Sequence, residues 1–163
     1  MKIRDATEAD VPLILQFIRD LARYEKLEQK VIATEAGLRQ SLFGNPRFAE
    51  VIFACVDDVE VGFALFFHNF STWTGKPGIY LEDIFIRPEH RRKGYGSALM
   101  RELGRLAIER GCGRLEWAVL DWNEPAISFY RALGATALDE WTTYRIAGEA
   151  LAALGRNPGA QTA

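Results

Sequence analysis

The chain has 163 residues, of which 48% are hydrophobic and 26% charged, and its formal net charge is −2. This length and composition are typical of one globular domain, and the charge excludes the basic field with which proteins wrap nucleic acid. The longest apolar stretch, residues 61–67, is far shorter than the roughly 20 residues that span a bilayer. We expect a cytoplasmic protein with no nucleic-acid or membrane partner, built as one domain over residues 1–154 with a flexible tail over 155–163.

The first half of the chain carries two helix signals and four strand signals. Residues 2–6 are predicted as a short strand, and Thr7 with Asp10 three residues later predicts the capped start of a helix that runs to about Tyr24. A second helix is predicted from Thr34 to about Phe43, before the glycine and proline that stop it. Three strands separated by turn residues then form a meander over residues 50–56, 61–70 and 79–87.

The second half predicts a strand-helix-strand crossover. A helix over residues 94–110 is followed by a strand over 114–120. Asn123 or Glu124 then caps a short helix that Gly134 closes, before a final strand over 141–146 and one or two helical turns over 148–154. The crossover is expected to be parallel and right-handed, so the fold class is α/β (α+β), with a mixed, mostly antiparallel twisted sheet flanked by helices.

The cysteines and histidines lack the spacing of a metal site or a catalytic triad. Cys55 and Cys112 are far apart, and His68 and His90 are isolated from one another. We therefore expect no bound metal and two reduced, structural cysteines.

Two glycines open the helix after the third meander strand, within the segment RRKGYG at residues 91–96. Unpaired N–H groups and the dipole at a helix start favour an anion, and glycine lets a phosphate approach closely. The three cations before the glycines suit a ligand with several phosphates. A Walker A loop would need Gly-Lys-Ser/Thr, which is absent, and Leu99 stands where a dinucleotide fingerprint needs a third glycine. Taken alone, the segment is also compatible with a solvated helix start.

A second motif, at a suitable distance from the glycine segment, makes its interpretation more specific. Arg91-x-x-Gly94-x-Gly96 resembles the acetyl-CoA signature of the GNAT acyltransferase superfamily, and residues 123–130 resemble its second motif. Residues 21–25, 80–84 and 118–123 are similar to the spermidine/spermine (diamine) and thialysine N-acetyltransferase group. This resemblance implies acetyl transfer from acetyl-CoA to a primary amine, by a protein that is commonly a homodimer.

The resemblance also implies an acetyl-CoA site. The backbone of residues 84–86 would pair with the pantetheine arm like an added strand, and the glycine loop would hold the pyrophosphate. The residues implied to bind the cofactor are Ile84, Phe85, Ile86, Arg91, Arg92, Lys93, Gly94, Tyr95, Gly96, Ser97, Asn123, Pro125 and Tyr130.

Glu82 and Asp83 interrupt an apolar strand, where ionised groups are costly to bury unless they are paired or functional. Neighbouring residues of a regular strand point to opposite faces, so only a bulge could aim both carboxylates at one site. The resemblance implies such a bulge, which also opens the acetyl-CoA slot. The alternative is that one carboxylate pairs with a core cation such as Arg4 while the other faces water. Glu25 could join the pair.

Acetylation requires a neutral amine, whereas an alkylammonium with a pKa of about 10 arrives protonated. Glu82 is a suitable proton acceptor, directly or through a water, and Tyr130 matches the family's general acid for the leaving thiolate. We predict direct attack in a ternary complex with these two catalytic residues. The alternative for Tyr130 is a core tyrosine, since its helix carries apolar residues at similar spacing. A covalent route through Cys112 has no neighbouring base in the sequence.

The predicted substrate-binding residues are Tyr24, Glu25, Trp73, Glu82 and Asp83. The indole of Trp73 could cover a cationic chain, or it could be a hydrophobic plug. Polyamine enzymes of the group tend to carry Asp two residues before this tryptophan, where this chain has Ser71. That difference favours thialysine, a lysine-like amino acid or a diamine. Acetylation of a protein lysine or amino terminus, and a non-catalytic acetyl-CoA-binding module, are the other two possibilities.

Overall fold

A computed structural model describes residues 1–156 of the chain. The strands are β1 (Lys2–Asp5), β2 (Glu50–Val56), β3 (Val59–Ser71), β4 (Lys76–Ile86) and β5 (Leu115–Trp117). The α-helices are α1 (Val11–Tyr24), α2 (Glu35–Phe43), α3 (Tyr95–Glu109), α4 (Glu124–Ala132) and α5 (Gly148–Gly155). Most of the predicted tail, from residue 157 onward, lies outside the described residues.

Backbone contacts divide the chain into two compact units, one of residues 1–118 and one that begins at Val119. The first unit contains the whole sheet together with α1, α2 and α3, and the second contains α4 and α5. The boundaries of a single domain over residues 1–154 stay a prediction.

The sheet has the strand order β1-β2-β3-β4-β5. The first four strands are antiparallel neighbours, as a meander requires, whereas β5 lies parallel to β4 after the crossover through α3. The mixed, mostly antiparallel sheet predicted from the sequence is confirmed, and so is its parallel crossover.

Helices α1 and α3 cover the sheet because each has an apolar stripe at helical spacing. On one face, Ile14 and Phe17 of α1 pack with Phe53, Phe63 and Phe85 of the strands. The Phe17 and Phe63 rings are stacked with centroids 5.2 Å apart. Burying each such ring contributes about 2 kcal/mol or more to folding. The buried residues of α3 are separate from this cluster, and α3 contacts β2, β3 and β4, so it covers the other face.

Local hydrogen bonds confirm the predicted helix starts. The Thr7 N–H donates to Asp10 Oδ2 at 2.7 Å in a capping box, and a single 3-10 turn then leads into α1. The Thr34 hydroxyl accepts from the Gly37 N–H at 3.1 Å at the start of α2. Asn123 caps α4, its side-chain oxygen accepting from the Ala126 N–H at 3.4 Å.

Two strand predictions differ from the structure. The predicted final strand over residues 141–146 is wrong, because within residues 1–156 no strand pairs with that segment. Its apolar side chains stay exposed, 64% for Trp141 and 92% for Tyr144. An alternating pattern makes a strand only where a neighbour completes its hydrogen bonds. Strand β5 is also shorter than the predicted 114–120, since it pairs only with Ile79–Leu81 of β4.

The structure also describes the two cysteines and the apolarity of the helices. Cys55 is buried and Cys112 partly buried, and both thiols are free. No helix within residues 1–156 combines the length and apolarity needed to cross a membrane.

Candidate active site

Strand β4 has a bulge at Glu82. Leu65 of β3 pairs with Asp83, but the next residue, Phe66, pairs with Leu81, so Glu82 has no residue opposite it. Asp83 projects on the same side as its partner Leu65, whereas Leu81 projects with Phe66 on the other side. Because Glu82 alternates with Leu81, it shares the face of Asp83. The bulge implied by the family resemblance is confirmed, and it places both carboxylates on one face.

That face is the one that α1 covers, and Glu25 ends α1 as its C-cap residue. Asp83 is partly buried, and burial raises the pKa of its carboxyl group to about 6, with the negative charges of Glu82 and Glu25 as further causes. Burial also raises the pKa of Glu25. Asp83, Glu82 and Glu25 are called the acidic cluster below, because the negative charges of Glu82 and Glu25 both act on the Asp83 carboxyl group.

The acidic cluster is not neutralised by Arg4. The Arg4 guanidinium donates to Asp10 Oδ2 at 2.8 Å and to Glu60 Oε1 at 2.6 Å, which uses its charge elsewhere. The alternative in which Arg4 pairs with Glu82 or Asp83 is therefore wrong, although Glu82 does face solvent. In residues 1–156, no salt bridge joins either carboxylate to a cation. The negative charge is available to a cationic ligand.

Beyond the bulge, β4 has an open backbone edge. The Arg87 N–H donates to the Val61 carbonyl at 3.0 Å, so in the antiparallel ladder alternate residues of β4 face β3. Ile84 and Ile86 consequently direct their N–H and C=O groups to the opposite edge. In the described part of the chain, β5 is the strand on that side, and it pairs only with Ile79–Leu81. The open edge offers backbone groups to an extended ligand that carries amides.

The loop before α3 has the geometry of an anion site. Gly94 is the N-cap, with a left-handed φ of 83°, and a Cβ atom there would meet nothing within 4 Å. Ala98 donates the first hydrogen bond of α3, to the Gly94 carbonyl at 3.0 Å. Three earlier N–H groups therefore have no partner within the helix, those of Tyr95, Gly96 and Ser97. Arg92 and Lys93 are exposed beside them. The loop fits a pyrophosphate.

Arg91, although part of the same motif, makes contacts away from the helix start. Its Nε donates to the Ile86 carbonyl at 2.9 Å. Its guanidinium carbon lies 4.3 Å from the centre of the Tyr24 ring and 5.3 Å from that of Phe85. No spacing in the sequence indicates this contact, because Tyr24 and Arg91 belong to different elements far apart in the chain. Pyrophosphate binding by Arg91 stays a prediction.

Trp73 lies in the turn between β3 and β4 with 87% of its surface exposed, which argues against a hydrophobic plug. Ser71 is buried at the start of the same turn, where its hydroxyl accepts from the Thr74 N–H at 3.3 Å. Ser71 therefore builds the turn. The role of Trp73 in covering a substrate stays a prediction.

The second unit carries the remaining predicted site residues on or beside α4. Asn123 is the cap, Pro125 lies in the first turn, and the rings of Phe129 and Tyr130 have centroids 5.3 Å apart. None of the residues of α4 is buried, so Tyr130 is not a core tyrosine in this unit. Its role as the general acid stays a prediction.

Comparison with known proteins gives a consistent result. Residues 15–135 match the Acetyltransferase (GNAT) family. A thialysine N-epsilon-acetyltransferase from Bos taurus is 42% identical over 93% of this chain and 95% of its own length. An L-ornithine N5-acetyltransferase from Arabidopsis thaliana is 33% identical, over 95% of this chain and 88% of its own length. A solved integron cassette protein from the mobile metagenome of V. cholerae has a TM-score of 0.81 and 28% identity, covering 96% of this chain and 98% of its own. The chain belongs to the GNAT acetyltransferase family and is an N-acetyltransferase.

Proposed function

We propose that this chain transfers the acetyl group of acetyl-CoA to a primary amine of a small cationic substrate, either thialysine, a lysine-like amino acid, or a di- or polyamine. The observation that carries this proposal is the acidic cluster, which has no salt-bridged cation among residues 1–156. Partly buried carboxylates attract a cationic amine more strongly than exposed ones do. The relatives named for thialysine and ornithine acetylation support the same class of substrate.

The first unit contains groups that fit acetyl-CoA. The open edge at Ile84 and Ile86 would hold the pantetheine amides by backbone hydrogen bonds. Arg92, Lys93 and the start of α3 would hold the phosphates by charge and by N–H donors. Bound acetyl-CoA supplies an activated acetyl thioester.

The ammonium group must lose a proton before its nitrogen can attack. A general base works best when its pKa lies near the operating pH, and the value of about 6 for Asp83 is closer to neutrality than that of an ordinary carboxyl group. We assign the proton to the coupled pair of Glu82 and Asp83, with the exposed Glu82 receiving it directly or through a water. The neutral amine would attack the thioester carbonyl directly in a ternary complex, forming the C–N bond as the C–S bond breaks. The Tyr130 phenol would give its proton to the departing thiolate sulfur.

The test is release of free thiol from acetyl-CoA by the purified protein, with thialysine, spermidine, ornithine or a lysine peptide as acceptor. Fast release with a small amine and slow release with the peptide are expected. Preference for the peptide would instead show a protein acetyltransferase. Tight binding of acetyl-CoA without release in any of the four reactions would show a non-catalytic module.

Substitutions at the acidic cluster test how the amine is bound. Glu82→Gln and Glu25→Gln should each raise the KM for the amine about tenfold, because each removes one charge that attracts it. Glu35→Gln removes an exposed carboxylate of α2 outside the cluster and is the matched control. Equal KM values for all three variants would contradict the role of the cluster.

The implied homodimer stays a prediction, which light scattering after gel filtration would check.

A further inference from the structure

We infer that Arg91 is a positioning residue that fixes the end of α1 against β4 and thereby keeps Glu25 beside Asp83. The consequence for catalysis rests on the proposed function, whereas the structural part does not. Arg91 connects three elements, namely the loop before α3, the end of α1 at Tyr24, and β4 at Phe85 and Ile86.

The contacts of Arg91 require a guanidinium group. Its Nε donates to the Ile86 carbonyl while its guanidinium carbon lies over two aromatic rings, 4.3 Å from the centre of Tyr24 and 5.3 Å from that of Phe85. A lysine keeps the charge but cannot combine a fixed Nε donor with planar stacking. The two rings are themselves close, with centroids 6.3 Å apart. Arg91 therefore holds Tyr24 and β4 together.

Fixing Tyr24 also fixes Glu25, because Glu25 is the next residue and ends the helix. The Glu25 N–H donates to the Leu21 carbonyl at 2.9 Å, and the chain then turns away at Lys26, whose φ is 62°. Helix ends fray unless side chains hold them in place. The contact of Tyr24 with Arg91 anchors this end at the position from which Glu25 acts on Asp83.

Arg91 acts through position and not through its own charge. The groups that raise the Asp83 pKa besides burial are Glu82 from its own strand and Glu25 from α1, and Arg91 is not among the charges that shift it. Arg92 and Lys93 are exposed, and under the proposed function they would supply the cations for the phosphates. Arg91 also donates to the Ile86 carbonyl, at the end of the open edge of β4, and leaves the Ile86 N–H and the groups of Ile84 open to a ligand.

The decisive variant is Arg91→Lys, which keeps the charge and removes the planar contact. We expect the amine KM to rise about tenfold, the dissociation constant of acetyl-CoA to change less than about threefold, and the Asp83 pKa to fall below about 6 as the charge of Glu25 moves away. Arg92→Ala is the matched control in the same loop and should weaken acetyl-CoA binding without changing the Asp83 pKa. Tyr24→Leu removes the aromatic ring that Arg91 contacts and should lower the Asp83 pKa as Arg91→Lys does.

Titration of the Asp83 carboxyl group by NMR makes the test independent of activity. A lower Asp83 pKa in Arg91→Lys or Tyr24→Leu supports the inference whether or not the wild type acetylates an amine. Absence of acetylation by the wild type would refute the proposed function but not the positioning role of Arg91. Unchanged Asp83 titration in both variants overturns the inference. So does an Arg91→Lys variant that loses acetyl-CoA affinity as strongly as Arg92→Ala while its amine KM is normal. Should one variant fail to fold, the other decides.

Discussion

Replacing Asp83 by Asn should stabilise the protein at pH 8 and leave its stability at pH 3 nearly unchanged. The unfolded chain releases the Asp83 proton near the ordinary pKa of 3.8, whereas the folded protein holds it until about pH 6. Between these values the folded state binds more protons, so the free energy of unfolding falls as the pH rises from about 4 to 6. Above pH 6 this loss is complete and persists. Asn carries no charge and avoids it.

The size of the effect follows from the same pKa values. A rise in the Asp83 pKa from 3.8 to about 6 corresponds to about 3 kcal/mol, at about 1.4 kcal/mol for each unit of pKa. This figure is an upper limit, because solvent around the partly exposed carboxyl group and around Glu82 screens part of the interaction. Glu82→Gln removes one of the charges that act on Asp83 and should give a smaller gain of the same sign.

Urea unfolding followed by tryptophan fluorescence, at pH values from 3 to 8, measures the difference between variant and wild type. The difference should grow between pH 4 and 6 and stay constant above that range. A difference that is independent of pH would show that Asp83 titrates normally in the folded protein. If the stability of the variant relative to the wild type decreased between pH 4 and pH 8, the sign of the predicted effect would be wrong.

Three further predictions concern other parts of the chain. Tyr130→Phe should lower kcat about a hundredfold in the thiol-release assay while acetyl-CoA affinity by calorimetry stays the same; unchanged turnover would remove its role as the acid. Gly94→Ala should lower the free energy of unfolding in urea by about 1 kcal/mol because the φ of Gly94 is 83°. Gly104→Ala within α3, where an added Cβ meets nothing within 4 Å, should raise it by about 1 kcal/mol, and changes of the same sign in both variants would refute this reasoning. Asp10→Asn should destabilise the protein more at pH 7 than at pH 2, because the hydrogen bond from Arg4 holds the pKa of the Asp10 carboxyl group far below its usual value of 3.8 and the stabilisation is lost progressively as the pH falls below about 4; a loss of equal size at both pH values would contradict this.

Features that depend on neighbouring residues in the chain followed directly from the sequence. The capping box of Thr7 and Asp10, the cap at Asn123 and the glycine that starts α3 are set by hydrogen bonds and backbone angles within a few residues. The three-strand meander and the parallel crossover also followed, since short turns between apolar runs leave few ways to pair them. The same local reasoning gave a strand over residues 141–146 that the structure does not contain.

The arrangement of the acidic cluster required the tertiary structure. Sequence spacing allowed a bulge at Glu82, but the pairing of Leu65 with Asp83 decided that both carboxylates share a face. The pKa of Asp83 depends on burial and on Glu25, which a different element brings close. The same holds for the contact of Arg91 with Tyr24. Local spacing determines where helices and strands begin, whereas charges and rings from distant segments meet only after those elements pack, because their separation in space is independent of their separation in the chain.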